Sequence, residues 1–427
     1  MPWPVWSELL DSFDDLIESF SRRGVDLGLG RLQAALAELG HPERRFAAVQ
    51  VAGTNGKGSI CTLVHQALLA AGIQAGLYTS PHLLSWTERI RLGTDCIPAA
   101  GLRRQLEAAR PVARAHQLTP FELVTAAAFL AFAEAAVPLV VLEVGLGGRL
   151  DATSCHPDRS VIGLGSIGLD HREFLGPDLA SIAAEKAGVL QPGCTAVSGP
   201  QNPEVRAVLE ARAAAVGADL RWVGPLARNT AGDLWLAADG PGSGSWVPCG
   251  LPGVVQASNA AVAQGVLEAL AERKWPIEAA AIRRGFAAAR WPGRLQELDW
   301  NGIPLLLDGA HNPPAAAALR AELHAFPERH GLRPGPRCWV IGMLANKQGP
   351  DILKALLAPG DQAWIVPVAG HRSWDGDQLR QEAPELAPQL DSASDLLEAI
   401  QKAWSAGGRR VLVAGSLYLI GEVLKAV

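Results

Sequence analysis

The stretch Val51–Ser59, reading VAGTNGKGS, constrains the fold more than any other part of this chain. Before it lies the short apolar run FAAVQVAG (Phe46–Gly53), and after it a helical pattern from Lys57 to Ala71 that stops at Gly72. Strand, glycine loop and helix in that order form a phosphate cradle: the glycines let backbone N–H groups turn inward, the helix N-terminus adds partial positive charge, and Lys57 adds a full one. The spacing is not the common GxxxxGK[ST], because only Thr54 and Asn55 separate Gly53 from Gly56 and an extra Gly58 precedes Ser59. The nucleotide-contacting candidates are therefore Thr54, Asn55, Gly56, Lys57, Gly58 and Ser59, with Lys57 also a catalytic candidate.

Around this loop the chain alternates strand-like and helix-like runs. An amphipathic stretch, Trp6–Phe20, and a helical segment carrying Leu32, Leu36 and Leu39 precede the first strand. Strands are expected at Ala75–Tyr78, Pro138–Gly145, near Ser160–Gly165, and at Cys194–Ser198; helices at Phe121–Ala136 and about Asp178–Ala187. Such alternation predicts a mostly parallel sheet with helices on both faces. Between Arg221 and Cys249 short Trp- and Gly-containing pieces read as an antiparallel side sheet. Ala-rich helices at Ala257–Arg273 and Ile277–Ala289 lead to Trp291-Pro292-Gly293, a natural break. The domains are expected at 1–292 and 293–427, the second a smaller α/β unit with strand-like runs in IPLLLDGAHNP, RCWVIGMLA, QAWIVPVAG and RRVLVAGS, and helices at Pro313–Phe326 and Asp351–Leu357. A length of 427 residues gives both room for full cores.

Charge and cysteine usage exclude several function classes. A net charge of −5 offers no basic stripe for a nucleic-acid backbone. The start, with acidic Glu8, Asp11, Asp14 and Asp15, is unlike a signal peptide, and no apolar run reaches the roughly 20 residues that span a bilayer. Cytoplasmic location, no membrane and no nucleic-acid partner are the expectations. The six cysteines form no CxxC pair, so reduced thiols are expected.

The GTNGKGS string resembles that of bacterial folylpolyglutamate synthases and dihydrofolate synthases, in the Mur ligase superfamily, whose cell-wall members usually carry a shorter GTxGK[ST]. The similarity continues through YTSPHLLSWTERIRL, LEVGLGGRLDAT, SIGLDHREFLG, AAEKAGVL, PGR and DGAHNP, in the family's order. It implies a P-loop-type catalytic domain followed by a Rossmann-like glutamate-ligase domain. The implied activity is an ATP- and Mg2+-dependent ligase that adds L-glutamate to dihydropteroate or to the γ-carboxylate of a folate through an acyl phosphate, serving folate biosynthesis and one-carbon metabolism.

Residue roles follow from chemistry and resemblance together. Glu143 ends an apolar strand, where a carboxylate is costly to bury without a cation and where parallel sheets place ligands; hard Mg2+ wants such oxygen donors. The resemblance adds Ser80 and His171 as metal partners, with His171 also a catalytic candidate. Lys186, near a helix end, reads by itself as a solvated charge, whereas the resemblance implies a carbamylated lysine beside the metal. It likewise places Asn259, Arg294, Asp308 and His311 around the nucleotide where the two domains meet, Arg294 following a hinge-like Pro-Gly pair. Phe121 and Glu122 of TPFELVT, with Asp151 of LDAT, border its pterin pocket, Phe121 stacking on the heterocycle. One departure is GMLANKQ: the family often has acidic residues around that lysine, whereas here Asn346 and Gln348 flank Lys347. The competing readings are a Mur-type ligase acting on a nucleotide-linked peptide, and a P-loop NTPase used as a switch. Nothing in the sequence demands more than a monomer.

Overall fold

The computed structural model describes residues 12–17, 24–237 and 244–426. It divides into two compact units, the described residues of Met1–Leu251 with Val255–Arg290, and Pro252–Val254 with Trp291–Val427. Of the expected amphipathic stretch Trp6–Phe20, only Ser12–Ile17 is described, with a single helical turn at Asp14–Ile17; the rest, like the acidic start, lies outside the described residues.

The first unit is built on an eight-stranded sheet. Its strands are β1 (Ala47–Ala52), β2 (Ala75–Tyr78), β3 (Ile90–Leu92), β4 (Asp95–Cys96), β5 (Leu139–Glu143), β6 (Val161–Leu164), β7 (Thr195–Ser198) and β8 (Asp219–Trp222), in spatial order β4-β3-β2-β5-β1-β6-β7-β8. All neighbours from β2 to β8 pair in parallel, and only β3 and β4 run antiparallel at one edge. The chain leaves β1 for β2 on one side and, after β5, crosses to β6 on the other. The loop after β1 thus sits where the strand order reverses, the place where open α/β sheets bind ligands.

Period-two alternation explains the two packed faces. Ala48 and Ala52 of β1, with Tyr78, Leu142, Ile162 and Ala196, meet helices Ala99–Ala115, Pro120–Glu134, Leu179–Ala187 and Pro203–Val216. On the other face Val51 and Ile60 meet Val266 across Gly163, where a Cβ would be 3.3 Å from Val266. There helix Lys57–Ala70 packs against Gln256–Glu272 and Ala279–Ala288. Gly285 rests on the backbone of Ala67 so closely that a methyl group would collide with it.

The side sheet is smaller than expected. Asp219–Trp222 joins the main sheet as parallel edge strand β8, because Leu220 and Trp222 pack on the cluster of Val205 and Leu209. Only β9 (Leu234–Ala237) and β10 (Gly244–Val247) form a separate antiparallel ribbon.

The second unit holds a six-stranded sheet of β11 (Gln296–Trp300), β12 (Ile303–Leu307), β13 (Cys338–Ile341), β14 (Gln362–Ile365), β15 (Leu390–Ser392) and β16 (Val411–Ala414), ordered β11-β12-β16-β13-β14-β15. It is parallel except for β11. The four expected strand runs form its centre; β11 and β15 are edge strands that the sequence reading omitted. No helix among the described residues is long and apolar enough to cross a membrane. All six cysteines are unpaired thiols.

Candidate active site

The loop after β1 takes its shape from glycines and from the segment that follows β6. Gly53 (φ 144°) and Gly56 (φ 85°) adopt backbone conformations that side chains resist. A Cβ on Gly53 would come within 3.0 Å of Gly165 Cα, so the two backbones touch. The N–H groups of Thr54 and Asn55 both donate to Ser166 O, at 2.8 and 3.1 Å. Thr54 Oγ1 donates to Gly168 O (3.0 Å) and accepts from Gly168 N (3.1 Å). Gly56 caps helix Lys57–Ala70, and the space a Cβ would fill there is taken by the amide oxygen of Asn259. Asn259 is in turn held by Gln256 (3.0 Å), whose Nε2 reaches Ser59 Oγ at 3.4 Å. The structure therefore brings Asn259 to the loop from about 200 residues downstream, and adds Gln256, whose only mark in the sequence is its place one turn before Asn259.

Two lysines lie on consecutive carbonyls of this loop. Lys57 Nζ donates to Thr54 O at 3.1 Å, and Lys186 Nζ to Gly53 O at 3.0 Å. Lys186 is not the solvated charge that its position near a helix end indicated: its side chain is buried, 4% exposed. Burial, and then the positive charge of Lys57, pull its pKa from 10.5 down to about 7, against the opposing pull of Asp170 and Asp151. An appreciable share of neutral, nucleophilic amine at neutral pH follows.

The carboxyl end of β5 supplies Glu143, buried at 5% exposure. Its Oε2 accepts from the backbone N–H of Ser80 at 3.1 Å, which sets the end of the β2 segment beside the end of β5. The buried thiol of Cys61 senses the same centre: burial and then Glu143 raise its pKa, while Lys57 lowers it. His171 follows β6 with φ 51°, its N–H bonded to Asp170 Oδ1 (2.9 Å) and its Nε2 3.9 Å from Asp170 Oδ2. No group of three or more His, Cys, Asp or Glu side chains among the described residues is arranged to hold a metal ion. A cation here would rely on hydroxyl and phosphate oxygens as well as on Glu143. The donor chemistry of Glu143 and Ser80 fits a hard divalent ion.

The three pterin-pocket candidates divide. Phe121 lies flat against Gly145, where a Cβ would meet its ring at 2.6 Å, and its ring centroid is 6.1 Å from that of Tyr78. Glu122 is engaged structurally: it completes a capping box with Thr119 (Thr119 N to Oε2, 2.7 Å) and accepts from Arg31 Nη2 at 3.2 Å. The TPFE spacing carried that capping signal. Asp151 is buried, and its carboxylate gathers the N–H groups of Gly145, Leu146 and Thr153, each at 3.0 Å. It shapes the GLGGR loop, and burial raises its pKa against those hydrogen bonds. Behind it, Gln50 donates to Thr153 Oγ1 (2.8 Å) and Ser154 Oγ (3.0 Å) and accepts from the buried Arg159 guanidinium, a polar layer that the sequence reading missed.

In the second unit Arg294, Asp308 and His311 assemble at the carboxyl end of β12. Asp308 accepts from Leu295 N (3.0 Å) and Ala310 N (2.9 Å); burial raises its pKa and Arg294 opposes the rise. The Arg294 guanidinium lies 3.5 Å from where a Cβ on Gly309 would be, and His311 Nδ1–H donates to Gly309 O at 2.8 Å. In the GMLANKQ segment, the carbonyl of Lys347 accepts from the Trp374 indole at 2.9 Å.

A glycine-lysine loop at the switch point of a parallel sheet, with a buried carboxylate and a second lysine beside it, is the arrangement of a nucleotide-binding α/β protein. Comparison with known proteins makes this specific. Residues 293–426 match the family described as "Dihydrofolate synthetase, C-terminal domain". The chain is 34% identical to the dihydrofolate synthase/folylpolyglutamate synthase of Escherichia coli K12, over 99% of this chain and 97% of that one. It is 32% identical to the dihydrofolate synthetase of Saccharomyces cerevisiae, over 94% and 98%. Mycobacterium tuberculosis folylpolyglutamate synthase, solved with ADP and AMPPCP, superposes with a TM-score of 0.87 over 98% of both chains at 30% identity. Escherichia coli FolC, solved with DHPP and ADP, gives 0.83 over 99% and 98% at 32% identity. The chain belongs to the dihydrofolate synthase/folylpolyglutamate synthase family, a family of ligases that form C–N bonds.

Proposed function

We propose that this chain uses ATP to join the amine of L-glutamate to the carboxylate of dihydropteroate and to the γ-carboxylate of a folate, acting as a cytoplasmic monomer. The observation that carries the reading is the phosphate loop with Lys57 and Lys186 seated on successive carbonyls, in a chain similar over its whole length to enzymes of that name. The acceptor carboxylate oxygen attacks the γ-phosphorus of ATP, the bond to the β,γ-bridging oxygen breaks, and ADP leaves. The glutamate nitrogen then attacks the acyl carbon. The tetrahedral adduct collapses by losing inorganic phosphate, and the amine gives up its proton.

The residues of this chain serve these steps mainly by position and charge. The N–H groups at the start of helix Lys57–Ala70 receive phosphate oxygens, and Lys57 leaves Thr54 O to meet the transferring phosphoryl group. Asn259 flanks Gly56. Glu143, Ser80 and His171 would hold Mg2+, which neutralises charge on the phosphates when bound. Lys186 takes up CO2: its neutral Nζ attacks the carbon, an N–C bond forms, one proton is lost, and the resulting carbamate supplies an anion next to Gly53. In the second unit, Arg294, Asp308 and His311 contribute to nucleotide and amino-acid binding. Asn346 and Gln348 stand where the resemblance implies acidic residues, so an altered affinity for the amino acid is expected.

The acyl phosphate is tested by oxygen transfer. Acceptor labelled with oxygen-18 in its reacting carboxylate should deliver one labelled oxygen to inorganic phosphate per turnover. Unlabelled phosphate alongside labelled product would rule the intermediate out. Carbon-13 NMR after equilibration with labelled bicarbonate should show a carbamate resonance that Lys186→Arg abolishes; its absence in the parent protein would remove the carbamate from the account.

A further inference from the structure

Gln201 lies in the turn after β7, outside every motif discussed above, and its amide is fully engaged. Oε1 accepts from Ile167 N at 3.0 Å; Nε2 donates to Gly165 O at 2.9 Å and to Ser198 Oγ at 3.2 Å. The two backbone partners flank Ser166. In a parallel ladder one residue donates to the carbonyl before, and accepts from the N–H after, the residue it faces. The paired register of β6 and β7 ends at Leu164 with Ser198. The Gln201 side chain thus supplies one more rung of the ladder after the backbone of β7 has turned away.

That rung has a consequence on the opposite side of the strand. With Gly165 and Ile167 fixed toward β7, Ser166 turns its carbonyl toward β1, where it receives both Thr54 N and Asn55 N. Gly165 N donates to Ala52 O at 2.8 Å, and Gly168 makes two bonds with Thr54 Oγ1. The segment Gly165–Gly168 is the wall on which the phosphate loop rests, and Gln201 is the side chain that anchors the wall from behind.

We infer that Gln201 is a positioning residue for the nucleotide loop: by continuing the β6–β7 ladder through its amide, it fixes Ser166 and thereby the N–H groups of Thr54 and Asn55. The inference rests on the proposed nucleotide site. A carboxamide of this length offers a donor to Gly165 O and an acceptor to Ile167 N–H at the same time. Gln201→Met keeps the volume and loses both; Gln201→Glu keeps an acceptor for Ile167 N–H and sets a carboxylate against Gly165 O.

The test is calorimetric binding of ADP and of a non-hydrolysable ATP analogue to the full chain, alongside kinetic constants for ATP and for the pterin acceptor. Gln201→Met should weaken nucleotide binding of the order of tenfold, the scale of one or two lost hydrogen bonds, and raise KM for ATP. KM for the acceptor at saturating ATP should stay unchanged. If Gln201→Met does not fold, Gln201→Glu carries the same expectation. Parent-like nucleotide affinity in a folded Gln201 variant, or equal rises in both KM values, overturns the inference. Failure of the parent protein to bind nucleotide would overturn the functional reading instead.

Discussion

Replacing Lys186 by methionine should stabilise this protein at neutral pH while inactivating it. The amine is buried and its pKa lies near 7 instead of 10.5. Between those values the unfolded chain holds one proton more than the folded one, so stability rises with pH across the window by up to about 1.4 kcal/mol per pH unit and levels off below it. At pH 7 most of that gain is missing, about 4 to 5 kcal/mol. Methionine has similar length and no charge to bury. It forfeits the bond from Nζ to Gly53 O, worth about 1 to 2 kcal/mol. The variant should therefore gain about 3 kcal/mol at pH 7, and the gain should vanish near pH 9.5. Urea unfolding followed by tryptophan fluorescence, in CO2-free buffer at both pH values, measures it. A variant less stable than the parent at pH 7, or parent stability flat across the window, would show that the buried amine carries no such cost.

Three further changes probe other parts of the site. Gly56→Ala combines a left-handed backbone with a collision against Asn259; it should cost about 2 to 4 kcal/mol, and calorimetry with ADP should show binding lost. Glu143→Gln keeps an acceptor for Ser80 N–H but removes the charge; kcat should fall about 100-fold or more, with Tm nearly unchanged and the magnesium optimum displaced to higher concentration. Asp151→Asn sets an amide donor against either the N–H pair of Gly145 and Leu146 on one oxygen or the Thr153 N–H on the other; urea titration should show about 2 to 3 kcal/mol lost, and KM should rise for the acceptor but not for ATP.

What could be read from the sequence follows a physical line. Elements buried on both faces announce themselves as short apolar runs, so β1, β5, β6 and the central strands of the second unit were legible. Edge elements were not: β15 buries only Leu390, and β11 begins directly after the Trp-Pro-Gly break that drew attention to itself. The phosphate loop was legible because its chemistry is contiguous. Lys186 read as a surface charge because burial comes from elements distant in sequence, among them the Gly53 carbonyl 133 residues away. At Glu122 the capping box with Thr119 is legible in the TPFE spacing, whereas the ion pair to Arg31, 91 residues away, is not. Gln201 carried no signal, because its role depends on where two strands part.

The most direct test of the central claim is ADP release by the purified protein with ATP, Mg2+ and L-glutamate, with dihydropteroate, with tetrahydrofolate and with no acceptor, product masses being recorded. Release should require an acceptor and yield a product heavier by one glutamyl residue. Release at the same rate without any pterin, with no glutamylated product, would contradict that claim.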